Sequence, residues 1–521
     1  MHITHRVKNS RNQTCGFLVD QKYYTCHNVL SNADLFDNVK ITDGNVVEAT
    51  DGYLPIVKKS EVNVKLYQTL AGQNPLARDV QEEFLYWKTY RSSMVLYVTG
   101  ARQVGKTTEL LKFAYKNYEQ IVYVNLAQPG VIDKFEKYIL NNDIYFGMVR
   151  YCRAMKLEEF ENSRNTILIV DEIQESSSIY NSIRALQNSL DCDVAVTGSY
   201  LGKTLNARYF KPAGNIWTVE LLPLSFSEFC GTFGLRETLE TLDIHGKDVS
   251  WKYQDLYQMY TTYVQIGGYP SVVSEYKENP DVESCIRIIQ KLIETFTEES
   301  EAYFADSKGK SKIVFENVYK EAFRSIAYEK KGTSSKDIET ITGFIKESTK
   351  EHVSRSEVNK AVSWLKYSNI IGSCDLYNQG EVSQVLHERR FYFMDCGLAN
   401  CIAKMTPVDN QTVKGILTEN FAYTELYRLY QKDMVKGDKP CCSVYNDHEL
   451  DFMIVDRNDI KYGLEIKSSD QDQPVSLAVY LKDNKIDKGY LAGKTRGGVR
   501  KNIYSIPIYT VGCRFPYERG S

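Results

Sequence analysis

Long apolar runs, paired metal-ligand cysteines and an excess of one charge are all missing from this sequence of 521 residues. No run approaches the roughly 18 to 20 apolar residues that a bilayer-spanning helix needs, and residues 1–13 lack the apolar core of a signal peptide. A formal net charge of -3 gives no global sign of a nucleic-acid partner, so any basic surface must be local. We therefore expect a cytoplasmic protein without a membrane partner.

The 12 cysteines do not form a recognisable framework. They are scattered singly apart from Cys441 and Cys442, and no CxxC or Cys/His ligand spacing occurs. Disulfide scaffolds and structural zinc sites depend on such spacing. Reduced, mostly buried thiols are therefore expected.

The chain is too long for a single hydrophobic core, and changes in its pattern predict an α/β multidomain protein. The predicted domains are a small β-rich accessory module (1–63), an α/β core (64–222), a helical lid (223–328), a winged helix-turn-helix (329–405) and a C-terminal α/β domain (406–521). In the first module, a hairpin is predicted over 17–25 and a second tight turn at Asp43-Gly44.

The predicted α/β core (64–222) alternates short strands with helices. Strand-length β-branched runs occupy 94–98, 121–125, 166–170 and 194–197, and helical stretches such as 106–118 and 179–190 lie between them. This alternation is typical of a parallel sheet that is covered on both faces.

A phosphate-binding loop follows the first of these strands. The segment GARQVGKTT matches the G-x-x-x-x-G-K-[ST] pattern between a strand and a helix. Gly100 and Gly105 let the backbone N–H groups converge on phosphate oxygens, and Lys106 supplies positive charge to the β- and γ-phosphates. Thr107 offers its hydroxyl to magnesium, and Thr108 completes the expected nucleotide contacts. The sequence thus predicts ATP and Mg²⁺ as cofactors, and it predicts that 64–222 is a P-loop ATPase core.

Polar residues also end two later strands of this core. Asp171 would hold magnesium through water, and Glu172 would orient and deprotonate the attacking water. The next strand ends in Val-Thr-Gly-Ser, where Thr197 or Ser199 could sense the γ-phosphate. Simple strand termination is the alternative explanation for that last segment.

Several segments together resemble a known family. GARQVGKTT, VDEIQE, VTGS, LLPLSFSEF and GGYP are similar to prokaryotic AAA-type ATPases near the border with the signalling STAND group. FYFMDCGL, GILTENF and ELDFMIV are similar to the domain of uncharacterised role that follows the ATPase in that family. The resemblance covers roughly residue 66 to the end and leaves the first module outside.

One departure from this family concerns an arginine. The family usually carries Gly-Arg where this chain has Gly214 and Asn215, so an arginine that could touch the γ-phosphate is missing there. Arg208 is close in sequence and could take its place. Without such a residue, the resemblance implies a slow, switch-like ATPase.

A second candidate site lies near the C-terminus. Glu465 and Lys467 alternate along a predicted strand and so share a face, and Asp451 can face them from the preceding strand. Glu419, on the helix before, could complete the cluster. This arrangement resembles the PD-(D/E)xK nuclease pattern, in which two carboxylates bind Mg²⁺ (or Mn²⁺) and a lysine positions or activates water. The resemblance implies that 406–521 is a restriction-endonuclease-like α/β domain. A simple ion pair on an exposed strand is the alternative.

Two functional hypotheses follow from these motifs. The first is an ATP-driven or ATP-gated DNA-processing enzyme, and the second is a nucleotide-switched signalling or scaffold protein that binds a partner without cutting. ATP and DNA are the expected partners, and self-association into a homo-oligomer stays open. A late basic stretch fits a phosphate-tracking surface or a solvated face equally well, and it comprises Lys482, Lys485, Lys488, Lys494, Arg496, Arg500 and Lys501. For the winged helix, a packing role is favoured over DNA reading.

Overall fold

The computed structural model consists of two compact units, Met1–Leu221 and Leu222–Ser521. It describes residues 2–9, 13–19, 22–26, 29, 33–36, 40–42, 45–48, 56–58, 76–140, 143–155, 157, 159–198, 215–244, 246–304, 311–328, 337–377, 390–467, 474–493, 497–500 and 502–513. No helix in these ranges is both long and apolar enough to span a bilayer.

The first module is built from short strands. They are β1 (Ile3–Lys8), β2 (Thr14–Val19), β3 (Lys22–Thr25), β4 (Lys40–Thr42), β5 (Asn45–Glu48) and β6 (Ile56–Lys58). A four-stranded sheet has the order β3-β2-β1-β6, and its antiparallel β2–β3 pair confirms the predicted hairpin. β4 pairs with β5 on either side of Asp43-Gly44, which themselves lie outside the described residues.

Alternating strands and helices follow in the same unit. They are α1 (Val80–Tyr90), β7 (Val95–Thr99), α2 (Lys106–Asn117), β8 (Gln120–Asn125), α3 (Val131–Ile139), α4 (Ile144–Ala154), β9 (Thr166–Asp171), α5 (Ser177–Asn181), α6 (Ile183–Ser189), β10 (Asp193–Thr197) and β11 (Ile216–Glu220). The helix predicted over 179–190 is thus divided into α5 and α6. The division lies at Ser182, whose backbone angles (φ -96°, ψ 1°) depart from the helical values.

Five of these strands form one parallel sheet with the order β11-β7-β10-β9-β8. The predicted parallel sheet is therefore confirmed. β7, β9 and β10 are buried along their whole length, which explains their continuous β-branched runs. Because the carboxyl ends of parallel strands meet at one edge, the residues that follow these three strands are brought together there.

The second unit contains helices along most of its length. They are α7 (Phe226–Thr232), α8 (Arg236–Glu240), α9 (Ser250–Ile266), α10 (Pro270–Glu278), α11 (Val282–Phe304), α12 (Ser311–Tyr328), α13 (Asp337–Thr349), α14 (Arg355–Tyr367), α15 (Cys396–Ala403), α16 (Asn410–Gln431) and α17 (Val475–Lys482). Reciprocal capping boxes start α7 at Ser225 and α14 at Ser354.

The strands of this unit join into one eight-stranded sheet. They are β12 (Ile371–Leu376), β13 (Arg390–Phe393), β14 (Cys441–Tyr445), β15 (His448–Val455), β16 (Lys461–Ile466), β17 (Lys488–Gly493), β18 (Gly498–Arg500) and β19 (Ile503–Pro507). Their order is β13-β12-β14-β15-β16-β17-β19-β18. The sequence pattern does not predict β14. Because β14 pairs in parallel with β12, the sheet extends across the predicted domain boundary at 405/406.

The segment predicted as a winged helix contains α13, α14 and the antiparallel pair β12–β13. Val358, Val362 and Leu365, spaced at i, i+4 and i+7, are all buried. The apolar face predicted for the second helix is confirmed, whereas the winged-helix assignment and the domain boundaries stay predictions.

Candidate active sites

Two glycines shape the loop between β7 and α2. Gly100 has a φ of +135°, and a Cβ built on it would lie 2.0 Å from the carbonyl oxygen of Leu221, so no other residue fits without movement. Gly105, the N-cap of α2, has a φ of 96°. The loop therefore delivers a helix N-terminus to the end of a buried strand, where backbone N–H groups favour an anion.

Lys106 provides a buried positive charge in this loop, which also carries the exposed Arg102. Its ammonium group donates hydrogen bonds to the carbonyl oxygens of Gly100 at 3.0 Å and Ala101 at 2.7 Å. Burial lowers its pKa to about 8, and the neighbouring carboxylates of Glu172 and Asp171 oppose that shift. The side chain is therefore mostly protonated at neutral pH, beside the loop that would hold the phosphates.

Asp171 joins three parts of the site at the end of β9. Its Oδ2 accepts hydrogen bonds from the hydroxyls of Thr107 at 2.8 Å and Tyr123 at 2.7 Å, and its Oδ1 accepts from the backbone N–H of Glu172 at 2.9 Å. Burial raises the pKa of Asp171, and the hydrogen bonds from Tyr123 and Thr107 counter that shift. Thr107 and Asp171 thus place hard oxygen ligands, which suit Mg²⁺, next to Lys106.

Glu172 follows β9 in an unusual backbone conformation. Its φ of 54° lies in the left-handed region, which costs energy for a residue with a Cβ and tends to occur at functional sites. Its Oε2 accepts a hydrogen bond from the Nε2 of Gln174 at 2.5 Å. The backbone and this hydrogen bond together fix the carboxylate at the edge of the site, as a general base requires.

Sequence reasoning gave no role to Tyr123 or Gln174. Tyr123 lies within β8 and looks like an ordinary strand residue, and its contact with Asp171 depends on the parallel pairing of β8 with β9. Gln174 lies in a short 3₁₀ helix, Ile173–Glu175, that directly follows the acidic pair. A contact between Gln174 and Glu172 could have been predicted from the sequence only because Gln174 is a polar residue two positions after Glu172.

Thr197 ends β10 between the P-loop strand and β9. The side chain is fully buried, and its hydroxyl oxygen has no hydrogen-bond partner among the described residues. Such an unsatisfied group in a core needs an explanation, and the predicted γ-phosphate contact would supply one. Ser199 and Arg208 lie outside the described residues. Thr108 is exposed in the first turn of α2.

Asn215 stands where the resembled ATPase family carries an arginine. It lies at the end of the strands opposite to the P-loop. Its carbonyl oxygen accepts a hydrogen bond from the backbone N–H of Val95 at 2.9 Å, at the start of β7. The P-loop begins after Thr99, about 13 Å further along the strand at ~3.3 Å per residue. A side chain at position 215 is therefore remote from the nucleotide site of its own chain.

In the second unit, Asp451 and Glu465 lie opposite each other on β15 and β16. The register, with Phe452 paired to Leu464, places them on neighbouring strands. Both are buried, and the Nζ of Lys467 lies 2.8 Å from the Oε1 of Glu465. The Oε2 of Glu465 is buried without a hydrogen-bond partner among the described residues. The three residues therefore come together as predicted, with one oxygen left unsatisfied.

Glu419 does not complete this cluster. No group of three His, Cys, Asp or Glu side chains in the described part of the chain is placed to hold a metal ion. Instead, Glu419 accepts hydrogen bonds from Arg390 at 2.6 Å and from the Tyr392 hydroxyl at 2.5 Å. The guanidinium of Arg390 compensates the charge of Glu419, which corrects the expectation of a third metal-binding carboxylate.

Three of the family-like motifs meet inside the second unit. Asp395 of FYFMDCGL accepts hydrogen bonds from the backbone N–H groups of Gly268 in GGYP at 2.6 Å and Leu398 at 2.9 Å. Glu425 accepts one from the backbone N–H of Phe226 in LSFSEF at 3.1 Å. Burial raises the pKa of Asp395 to about 6. Backbone N–H groups bind both carboxylates, and the Nε of Arg428 lies 3.4 Å from the Oε1 of Glu425, so these motifs form a structural junction.

The predicted basic stretch is only partly described. Lys482 ends α17, and the Nζ of Lys485 lies 4.9 Å from the ring centroid of Tyr445. Lys494, Arg496 and Lys501 lie outside the described residues. The phosphate-tracking surface stays a prediction.

The strand order, the P-loop and the acidic pair define a domain of the AAA-type P-loop ATPase class. Residues 92–230 match a family model described as AAA domain, which confirms the predicted resemblance for this part of the chain. Residues 257–409 match a second model, described as a domain of unknown function, DUF8612. That match assigns no activity to the second unit.

A curated relative aligns with part of the chain. An uncharacterized protein of Haemophilus influenzae is 24% identical over 186 residues, which are 35% of this chain and 41% of that protein. The alignment thus spans about two fifths of the relative's length.

Among solved structures, a Walker-type ATPase of Pyrococcus abyssi is similar with a TM-score of 0.38, 15% identity and coverage of 63% of this chain and 96% of its own. The Aeropyrum pernix ORC1 protein, solved in complex with DNA, has a TM-score of 0.25, 15% identity and coverage of 67% and 94%. The TM-scores are too low to carry a functional argument.

Proposed function

We propose that this protein is a magnesium-dependent ATPase whose second unit binds or processes DNA. The convergence of Lys106, Thr107, Asp171 and Glu172 at the carboxyl edge of the parallel sheet is the observation that carries the ATPase part. These side chains come from two separate segments, the P-loop with the start of α2 and the end of β9, and each matches one requirement of phosphoryl transfer.

Each residue has a defined task in this site. The P-loop N–H groups and Lys106 would bind the β- and γ-phosphates, while Glu172 would orient the attacking water and accept its proton. Thr107 and Asp171 would hold Mg²⁺, and their oxygen atoms fit that ion. The bound ion would supply positive charge beside the phosphate oxygens.

The ATPase part is tested by phosphate release from purified full-length protein. We expect hydrolysis that requires Mg²⁺, is abolished by chelation, and changes in rate when DNA is added. If DNA leaves both the rate and the KM for ATP unchanged, the two units are not coupled in the proposed way.

The nucleic-acid part is supported by Asp451, Glu465 and Lys467. Two buried carboxylates on neighbouring strands are unfavourable unless a cation compensates them, and Lys467 contacts only one oxygen of Glu465. The unsatisfied Oε2 of Glu465 fits a divalent cation bound between the two carboxylates. Mg²⁺ or Mn²⁺ there would polarise a phosphodiester, with Lys467 beside the water or the scissile phosphate.

A second candidate function is a nucleotide-switched signalling or scaffold protein that does not cleave DNA. It is favoured by the ion pair of Lys467 with Glu465 and by the binding of Glu419 to Arg390, because these contacts neutralise carboxylates without a metal. In this case the second unit would bind a partner, and the ATP cycle would control that binding.

Nicking of supercoiled plasmid in Mg²⁺ or Mn²⁺ separates the two candidates. Under the nuclease proposal, Asp451→Ala and Lys467→Ala should each abolish nicking, whereas Asp438→Ala, at an exposed position, should not. If the wild-type protein cleaves neither single-stranded, duplex nor branched DNA, the scaffold function is the better account.

A further inference from the structure

A cleft of about 230 Å³ opens in the second unit next to Lys467. Residues of α9, α15 and α16 line it, together with Gly493 at the end of β17 and Lys467 just after β16. Thr261, Gln265, Asn410 and Lys414 are exposed at its rim, so a ligand bound inside can extend into solvent.

The charged residues that line the cleft are lysines. Lys414 and Lys467 both line it, and its described lining contains no acidic side chain. A cavity whose only charged groups are cationic favours an anionic ligand.

Aromatic and amide groups make up much of the remaining lining. The rings of Tyr257 and Tyr260 lie 5.9 Å apart at an interplanar angle of 35°, and both line the cleft. Asn400 also lines it, and its Nδ2 donates to the carbonyl oxygen of Gln265 at 3.0 Å, which fixes the amide orientation. Aromatic faces that stack bases and amides that contact base edges are the usual means of binding an unpaired nucleotide.

The cleft is continuous with the carboxylate pair through Lys467. Lys467 lines the cleft, and its ammonium group lies 2.8 Å from Glu465, which faces Asp451 across β15 and β16. A phosphate bound by Lys467 would therefore lie next to the proposed cation site, with the attached base and sugar inside the cleft.

We infer that the cleft binds one unpaired nucleotide, with its base against the tyrosines and its phosphate at Lys414 and Lys467. This inference rests on the proposed nucleic-acid function and gives it a substrate class, single-stranded DNA or a frayed end. The volume of about 230 Å³ lies below the roughly 300–1,000 Å³ of pockets that bury a drug-sized ligand, so the cleft has room for one base and none for a duplex.

The test uses full-length protein and three probes. They are a fluorescent ten-residue oligothymidylate, a duplex sealed at both ends by hairpins, and thymidine monophosphate. Thr261→Trp fills the cleft from its rim, and Lys414→Glu reverses one of its charges. Lys432→Glu makes the same charge change at the C-cap of the same helix, at an exposed position outside the cleft. Thermal unfolding midpoints verify that each variant is folded.

We expect the Kd for the oligothymidylate to rise at least tenfold in Thr261→Trp and Lys414→Glu and to stay within twofold in Lys432→Glu. The sealed duplex should compete at least tenfold less well than the single strand. Equal binding by wild type and both cleft variants, or equal competition by the sealed duplex, would overturn the cleft inference while leaving the nucleic-acid function in place.

Failure of the proposed nucleic-acid function gives a different result. In that case the wild-type protein binds neither polymer. The titration with thymidine monophosphate then shows whether the cleft binds a nucleotide at all. Binding that Thr261→Trp abolishes would support the cleft as a site for a free nucleotide. No binding would remove the cleft inference together with the nucleic-acid function.

Discussion

The hydroxyl of Tyr123 donates a 2.7 Å hydrogen bond to the same oxygen of Asp171 that accepts one from Thr107. The magnesium-binding carboxylate proposed here is thus held from two sides, by the P-loop and by the neighbouring strand β8. Since burial raises the pKa of Asp171, each of these hydrogen bonds helps to keep the carboxylate ionised.

Tyr123→Phe should therefore change the pH dependence of ATP hydrolysis. Removing the hydroxyl raises the pKa of Asp171 further, so activity on the acid side should be lost at a higher pH than in the wild-type protein. At neutral pH we expect kcat/KM to fall by about 10- to 150-fold, because a hydrogen bond to a charged group contributes about 1.5–3 kcal/mol. Profiles of kcat/KM against pH measure both effects.

Tyr145→Phe provides the control, since Tyr145 is 37% exposed and lies outside the nucleotide site. Its profile should match that of the wild-type protein. Identical acid limbs in Tyr123→Phe and wild type would mean that the hydroxyl does not influence Asp171.

Glu172→Gln should separate ATP binding from hydrolysis. The amide keeps the size of the side chain but cannot accept the proton, so phosphate release should fall by about 10²–10⁴-fold while ATP stays bound. Single-turnover hydrolysis and nucleotide-binding measurements give the two quantities. Glu175→Gln, at an exposed position three residues away, should hydrolyse at the normal rate. Normal turnover by Glu172→Gln would exclude this residue as the base.

The nucleotide site was largely predictable from sequence because its chemistry is local. Gly100, Gly105, Lys106 and Thr107 belong to one short segment, and buried β-branched strands revealed the parallel sheet around it. The contact of Tyr123 with Asp171 could not be predicted, because it depends on which strands are neighbours and in which register. The order β11-β7-β10-β9-β8 does not follow the chain order.

The C-terminal site was predictable only in part for a related reason. Glu465 and Lys467 are two residues apart, so strand geometry alone puts them together. Glu419 instead contacts Arg390, which lies 29 residues earlier and donates a hydrogen bond to the carboxylate that was expected to bind metal. The residues next to Glu419 in the sequence do not indicate whether its carboxylate binds a guanidinium or a metal ion.

Gly100→Ala should destabilise the first unit more than Gly130→Ala. Both glycines have positive φ, but only at Gly100 would the added Cβ meet backbone, 2.0 Å from the Leu221 carbonyl oxygen. At Gly130 nothing lies within 4 Å, so the cost is confined to backbone strain of about 1 kcal/mol. Urea unfolding curves compare the two variants. Equal unfolding free energies would contradict the close approach at Gly100.

The most direct measurement is Mg²⁺-dependent ATP hydrolysis by the wild-type protein beside Lys106→Ala and Lys116→Ala. Lys116 lies on the same helix, α2, but is exposed near its end. We predict that the wild-type protein and Lys116→Ala hydrolyse ATP alike. Lys106→Ala should bind ATP more weakly and show no turnover above background, because the charge facing the phosphates is gone. Hydrolysis by Lys106→Ala at the wild-type rate, or no hydrolysis by the wild-type protein with ATP and Mg²⁺, would contradict the central claim.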